Sequence, residues 1–325
     1  DLRLTSSLQL ESRIEQAYQV PIGGQLRTGV IWQPHPDFSV FPSYNLQAFR
    51  IRYSSERLAG VGTTGSGTPD LTFGCTGTCI LSFLEQIAEW DRRDDRQAPK
   101  SGYYLGLSFQ EGGGPLGGDF DYIRIQPDLR YYYSFGAKRE WTLALKARAG
   151  TLIPLGDRGS PIVSRFFGGG ANSMRGFSTR RFSPLQVVEK DMDLDPDSDD
   201  APGETVPIGG NSLFETSAEV RWNFYGNIVF ATFLDSGFVT ASSFRRESFN
   251  AMQYAVGFGF RYITPIGPVR LDFARRLNIG PPLRVDNPDA LAYDYGSGCF
   301  GFGNGQVAGL PEGSCTFFLS IGEAF

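Results

Sequence analysis

The sequence predicts an all-β chain, an antiparallel transmembrane β-barrel with about twelve strands, and three observations carry that expectation. Segments of about 10 residues or more alternate between apolar positions and polar or glycine positions. The apolar faces are rimmed by Tyr, Trp and Phe, and the connections between segments alternate in length. Apolar groups at every second residue give a strand one greasy side. A barrel that crosses a bilayer needs strands of this length, aromatic girdles and unequal loops at its two ends. A soluble β-sandwich shares the alternation but requires none of the rest.

The expected strands lie near 4–20, 22–33, 46–55, 79–92, 101–111, 120–133, 140–152, 212–225, 227–239, 251–263, 267–277 and 315–325. The first three are the least clearly patterned. In the sixth, Ile123, Ile125, Leu129 and Tyr131 oppose Arg124, Gln126, Asp128 and Arg130. In the seventh, Trp141, Leu143, Leu145, Ala147 and Ala149 oppose Lys146 and Arg148. The eighth sets Phe214, Ala218, Val220, Trp222 and Phe224 against Glu215, Ser217, Glu219, Arg221 and Asn223. The tenth sets Met252, Tyr254, Val256, Phe258, Phe260 and Tyr262 against Gln253, Ala255, Gly257, Gly259 and Arg261. Twelve is an even number, as single-chain bacterial barrels have. Connections 56–78, 153–211, 240–250 and 278–314 are long, follow odd-numbered strands and are expected on the outer side. Those at Ser134–Arg139, Tyr225–Asn227 and Thr264–Gly267 are short and are expected on the periplasmic side. Pro34–Tyr44 is longer than a periplasmic turn should be, and the first connection is shorter than an outer loop should be.

Composition narrows function. The 325 residues carry a net charge of −5, with no basic face or RNA-binding aromatic motif, so nucleic acid is not an expected partner. Length alone allows two soluble domains or one large β-domain. Apolar runs are too short for a transmembrane helix. Asp1 opens on polar sequence without a leader, which reads as a processed or truncated chain. His35 is the only histidine and stands between prolines in a connection. A Ser-His-Asp hydrolase would need it to meet a serine across the barrel, so the chain is expected not to be an enzyme and to hold no cofactor.

Smaller motifs have structural explanations. All four cysteines map to the outer side, and an even count in an oxidising compartment suggests two local disulfides, Cys75–Cys79 and Cys299–Cys315. Zinc is the rival for these thiols, but the pairs are distant in sequence and no histidine is near. Asp193, Asp195, Asp197 and Glu204 occupy positions 1, 3, 5 and 12 of a calcium-loop pattern that lacks its glycine and its helices. A solvated acidic loop explains them better, and no metal site is expected. "GGGPLGG" reads as a hairpin tip, "TPIGP" as a proline-fixed turn and "WDRRDD" as a charged rim or lumen cluster.

The stretch Ser164–Pro184, "SRFFGGGANSMRGFSTRRFSP", lies in the longest outer connection. Left in water, Phe166, Phe167, Phe177 and Phe182 would form an exposed apolar patch, so this loop is expected to tuck into the barrel. Arg175 then needs a carboxylate, because a charge removed from water is costly unless paired. The strand periods place Glu219 on the inward face of the eighth strand, and Phe233 and Asp235 on one face of the ninth.

"RFFGGGANSMRGF" resembles the loop motif of the Omp85 superfamily of outer-membrane insertases and translocases, with Arg-Gly-Phe at its centre. The likeness extends to "WDRRDDRQAPKSGYYLGLSF", "FLDSG", "GFGFRYITPIGPVRLDFA" and the closing "FFLSIGEAF". The resemblance implies a lumen loop motif formed by Arg165, Phe166, Phe167, Gly168, Gly169, Arg175, Gly176 and Phe177, with Arg175 held by Glu219, Phe233 and Asp235. It implies a seam between first and last strands that admits client strands, an inward kink of the last strand at Gly322, and an outer-membrane signal ending at Phe325. Barrels of this family have sixteen strands and usually follow periplasmic POTRA domains. The chain is therefore expected to be the C-terminal part of such a barrel or a small complete one, with no POTRA segment in residues 1–325. The implied partners are outer-membrane lipids, unfolded β-barrel clients, and periplasmic or lipoprotein accessory subunits; the implied location is the outer membrane of a Gram-negative bacterium. The alternative is a polypeptide-secretion pore of the two-partner type. A passive porin would have no need of matched partners for Arg175.

Overall fold

Twelve long strands follow one another in sequence around a single antiparallel sheet. This computed structural model describes residues 1–14, 18–53, 77–156, 159–188, 204–265, 267–277, 279, 299 and 314–322. The strands before the longest connection are β1 (Leu2–Ile14), β2 (Tyr18–His35), β3 (Phe38–Tyr53), β4 (Thr78–Asp91), β5 (Gly102–Gly112), β6 (Tyr122–Phe135) and β7 (Trp141–Pro154). Within that connection β8 (Leu185–Val188) and β9 (Glu204–Pro207) form a separate two-stranded sheet. The wall then resumes with β10 (Ser212–Tyr225), β11 (Ile228–Thr240), β12 (Gln253–Thr264), β13 (Gly267–Leu277) and β14 (Cys315–Ile321), so β7 pairs directly with β10. The small β8–β9 hairpin is absent from the sequence expectation.

The burial pattern is inside out. In β10, Glu215, Glu219 and Arg221 are buried while Ala218, Trp222 and Phe224 are exposed. The same holds in β7, where Lys146 is buried and Leu145 exposed. A soluble sandwich buries the opposite face, so this inversion identifies lipid as the solvent of the outer face. Among the described residues no helix is long and apolar enough to cross a membrane. Crossing therefore falls to strands. A stacked Trp141–Trp222 pair, with ring centroids 5.4 Å apart, marks the girdle at the end carrying the short turns.

The N-terminal hairpins differ from expectation. β1 ends at Ile14 and β2 begins at Tyr18, so the first break precedes the expected one near Pro21, and Pro34–Tyr44 is not a long loop. Instead β2 runs to His35, a turn at Pro36–Asp37 follows, and β3 begins at Phe38. The backbone N–H of Asp37 donates to His35 Nδ1 at 3.2 Å, tying the turn. Pro42, together with the small inward residues Ser43 and Asn45, hides the alternation of this strand from sequence inspection.

The β4–β5 connection is an organised structure. Asp94 Oδ1 accepts backbone N–H groups from Asp95 and Lys100, both at 2.9 Å, and from Ser101 at 3.1 Å. Ser134 Oγ donates to the Lys100 carbonyl at 2.7 Å, and the Pro99 carbonyl accepts from Arg221 Nη1 at 3.4 Å. The connection thus folds inward against β6 and β10. In "WDRRDD", Asp91 is clasped by both Nε and Nη2 of Arg93.

Among the described residues no ladder joins β1 to β14, and the sheet presents two edges of unequal length. β14 stops at Ile321, and Gly322 follows at φ +98°, a backbone region that favours glycine. Phe325 lies outside the described residues. Cys315 is bonded to Cys299. Cys79 is in a disulfide, and Cys75 lies outside the described residues. So do Asp193, Asp195 and Asp197, while Glu204 opens β9; among the described residues no cluster of acids, cysteines or histidine has metal-site geometry.

Leu145, midway along the outer face of β7, tests the orientation. Leu145→Arg is expected to cost about 2–4 kcal/mol of folding free energy in urea titrations into vesicles. Asp94 gives a pH signature. Partial burial works to raise its pKa, but the backbone donors of Lys100, Ser101 and Asp95 outweigh it and hold the carboxyl below the usual carboxylate range. A depressed carboxylate stabilises the fold above its unfolded pKa and loses that contribution as pH falls through the folded one. Protease protection of residues 92–101 should therefore drop below about pH 4, and Asp94→Asn should remove that acid dependence.

Candidate functional site

The connection between β7 and β10 fills the lumen. Its buried apolar side chains, Ile162, Phe166, Met174, Phe177 and Phe182, pack with inward groups of the wall, among them Phe49, Leu81, Phe83, Tyr122, Leu152 and Val239. Phe177 and Phe182 meet with centroids 4.7 Å apart. Bridges Phe166↔Gly210 and Gly168↔Phe182 fold the segment on itself. Phe166 lies 4.5 Å below the Arg124 guanidinium, and Phe167 lies 3.6 Å from that of Arg180. Arg165 donates to Ser160 Oγ at 3.0 Å and so braces the base of the loop. Gly169 takes φ +93°, and its N–H donates to Ser173 Oγ.

Arg175 sits at the tip, 1% exposed. Its Nη1 donates to Glu219 Oε2 at 2.7 Å; Nη2 and Nε donate to the two oxygens of Asp235 at 2.7 and 2.8 Å. Nη2 also reaches Ser217 Oγ at 3.1 Å, and the Arg175 backbone N–H donates to Asp235 at 3.2 Å. Phe233 covers the guanidinium face, with its centroid 3.3 Å from Cζ. One bidentate fork to Asp235, a separate donor to Glu219 and one aromatic face use the planar, always charged group in ways a lysine could not. The Thr316 hydroxyl of β14 donates to the Arg175 carbonyl, so the last strand also holds the tip.

Strand register explains the convergence. Phe233 and Asp235 lie on one face of β11, Glu219 pairs with Phe233 across the β10–β11 ladder, and Asp235 pairs with Ser217. Room for Phe233 comes from Gly257 on β12, directly opposite in the ladder, where a Cβ would come within 2.3 Å of the ring. Gly176 is set by close approach: a Cβ would stand 2.5 Å from that of Ala255. Arg-Gly-Phe therefore has a local reason at each position: Arg175 for the fork, Gly176 for clearance, and Phe177 for the apolar plug.

Sequence inspection missed the wider network. Glu219 also accepts from Arg221 Nε at 2.7 Å and from Arg261 Nη2 at 2.8 Å. Asp272 lies 3.0 Å from Arg270 Nε. Arg175, Arg221, Arg261 and Arg270 therefore face Glu219, Asp235 and Asp272, all of them buried. A second set holds the loop just before Arg175. Arg270 Nη2 donates to the Ala171 carbonyl and Asn172 Oδ1, both at 2.8 Å. Lys146 Nζ donates to the Asn172 carbonyl at 2.8 Å, and Glu215 accepts from Ser173 Oγ and Arg148. The available signal was the inward parity of Lys146, Arg148, Glu215, Arg221 and Arg261, which fixes their face but not their partners. The arrangement positions a loop.

An Omp85 superfamily domain matches residues 7–287. The chain is 28% identical over 192 residues to the outer membrane protein assembly factor BamA of Nitratidesulfovibrio vulgaris, covering 58% of this chain and 22% of that protein. It is 33% identical over 111 residues to the sorting and assembly machinery component 50 homolog A of Xenopus laevis, covering 34% and 23% respectively. It thus spans about a quarter of the length of these curated relatives. Among solved structures, BamA from Haemophilus ducreyi lacking POTRA domains 1–3 shares the fold with a TM-score of 0.67 at 15% identity, over 85% of this chain and 56% of that one.

Arg175→Ala leaves Asp235 and one side of Glu219 buried without their cation, a change expected to cost about 3–5 kcal/mol. The loop should become cleavable at Ser164–Pro184 in the folded barrel. Arg175→Lys should give partial protection. Limited proteolysis read by mass spectrometry checks both, and a loop equally resistant in Arg175→Ala would contradict the assigned role of the fork.

Proposed function

The chain belongs to the Omp85 superfamily, and from that premise we propose that it is the barrel of an outer-membrane protein assembly factor. In this proposal residues 1–325 form one non-enzymatic transmembrane domain that inserts and folds other β-barrel proteins. The supporting observation is a lumen locked by the Arg175 fork beside a last strand, β14, that has no second neighbour among the described residues. A barrel filled by a charge-paired loop is poorly suited to passive diffusion, whereas an unpaired strand edge is a template for another strand. Client strands would pair at the edge of β14, which has no second neighbour among the described residues. The Thr316–Arg175 contact would carry the state of the loop to the last strand. Unfolded barrel proteins are the proposed clients, with periplasmic or lipoprotein subunits delivering them.

The test replaces the protein in its own outer membrane after depletion. Wild type should restore heat-modifiable client barrels; Arg175→Ala, at matched membrane abundance, should leave them near the depleted level, with Arg175→Lys between. Normal barrel assembly combined with lost secretion of one partner polypeptide would sink the proposal in favour of a secretion pore. Normal behaviour in both assays would show that the Arg175 fork serves neither task.

A further inference from the structure

The connection between β11 and β12 does not stand up from the barrel rim. It lies down on the lipid-facing side. After β11 ends at Thr240, Ser243 Oγ donates to the Leu152 carbonyl at 2.8 Å, and the Phe244 N–H donates to Thr151 Oγ1 at 3.1 Å. Both acceptors belong to β7, beyond β10, so the segment crosses a whole strand. A short 3₁₀ helix, Arg246–Ala251, then returns it to β12. The crossing buries Phe238 completely, although Phe238 belongs to the outward-facing set of β11 whose member Leu234 is 46% exposed. The seal is aromatic: Phe238 lies 5.6 Å from Phe244 and 5.2 Å from Phe249, and Phe214 of β10 lies 5.3 Å from Phe249.

The height of this segment follows from strand geometry. Trp141 marks the inner girdle of β7, and Thr151 is ten residues further on. At about 3.3 Å per residue and about 45° of tilt this is a rise of roughly 23 Å, close to the roughly 25 Å apolar band of a barrel. The crossing segment therefore rests where outer-leaflet acyl chains meet their headgroups. There it exposes two kinds of side chain. Phe244 and Phe249 stay 36% and 42% exposed at the rim of the aromatic cluster. Arg245 and Arg246, between them, are exposed and make no ion pair among the described residues; Glu247 is exposed beside them.

We infer that residues 241–252 form a docking foot for the phosphorylated headgroups of outer-leaflet lipid. The phenylalanines supply an apolar underside, and the adjacent guanidiniums supply planar, bidentate donors suited to phosphate. Glu247 leaves the segment with one net positive charge, which favours a phosphate monoester held by two forks over diffuse attraction to any anion. The inference depends on membrane placement and not on the assembly activity proposed above, so either can fail alone.

The probe is lipid A in nanodiscs, compared with phosphatidylcholine alone, with lipid retention by the intact protein read by native mass spectrometry. Wild type should retain lipid A preferentially. The double variant Arg245→Gln/Arg246→Gln should lose roughly thirtyfold, on the order of fivefold per basic side chain, while remaining heat-modifiable. A second readout does not depend on that variant: the indole fluorescence of Phe249→Trp should be quenched by lipids brominated near the headgroup. Equal retention of lipid A by wild type and the double variant would overturn the inference. So would an unquenched indole in Phe249→Trp, or displacement of lipid A by excess inorganic phosphate, which would indicate a free-anion site.

Discussion

Everything inside the wall depends on one guanidinium taken out of water. Arg175 is removed from solvent almost completely, and an isolated charge in that position would be prohibitive. Glu219 and Asp235 make it tolerable, and Asp235 in turn takes its bidentate cation from Arg175, while Glu219 shares Arg175 with Arg221 and Arg261. The loop and the wall are therefore mutually conditional. Such a network fixes an arrangement of directional bonds, whereas its net stabilisation is offset by the cost of taking each charge out of water.

Apolar contacts set the depth of the plug and polar contacts set its register. Phe166, Met174, Phe177 and Phe182 make the segment insoluble in the outer medium, but greasy packing alone tolerates sliding. The grips on Ala171 and Asn172 by Arg270 and Lys146, followed by the fork on Arg175, stop that slide within a few residues of chain.

Much of this was legible in the residues. Two-residue alternation located the strands from β4 onward to within a few positions, because lipid outside and charge inside make the pattern unusually clean there. It failed at β1–β3, where Pro42 and small polar inward residues blur the parity. Arg175, Glu219, Phe233 and Asp235 could be named in advance because an inward strand face has few members. Arg270 and Lys146 could not be assigned partners, because both donate to backbone carbonyls or to a side chain of the loop, and a carbonyl has no residue identity to recognise. The β8–β9 hairpin was hidden by an acidic neighbourhood. The path of residues 241–252 over the outer face was hidden because its anchors, a backbone carbonyl and Thr151, are commonplace.

The inward fold of the β4–β5 connection links the two mouths of the barrel. The Pro99 carbonyl leans on Arg221, which shares Glu219 with Arg175. Along the β10–β13 wall the carboxylate and its arginines have essentially no contact with solvent. An ion moving along that wall would have to break the stack at the level of Glu219, whichever mouth it entered. The ion pairs that hold the loop at Arg175 are thus the same ones that obstruct this wall, so releasing the loop and opening that path are one event rather than two.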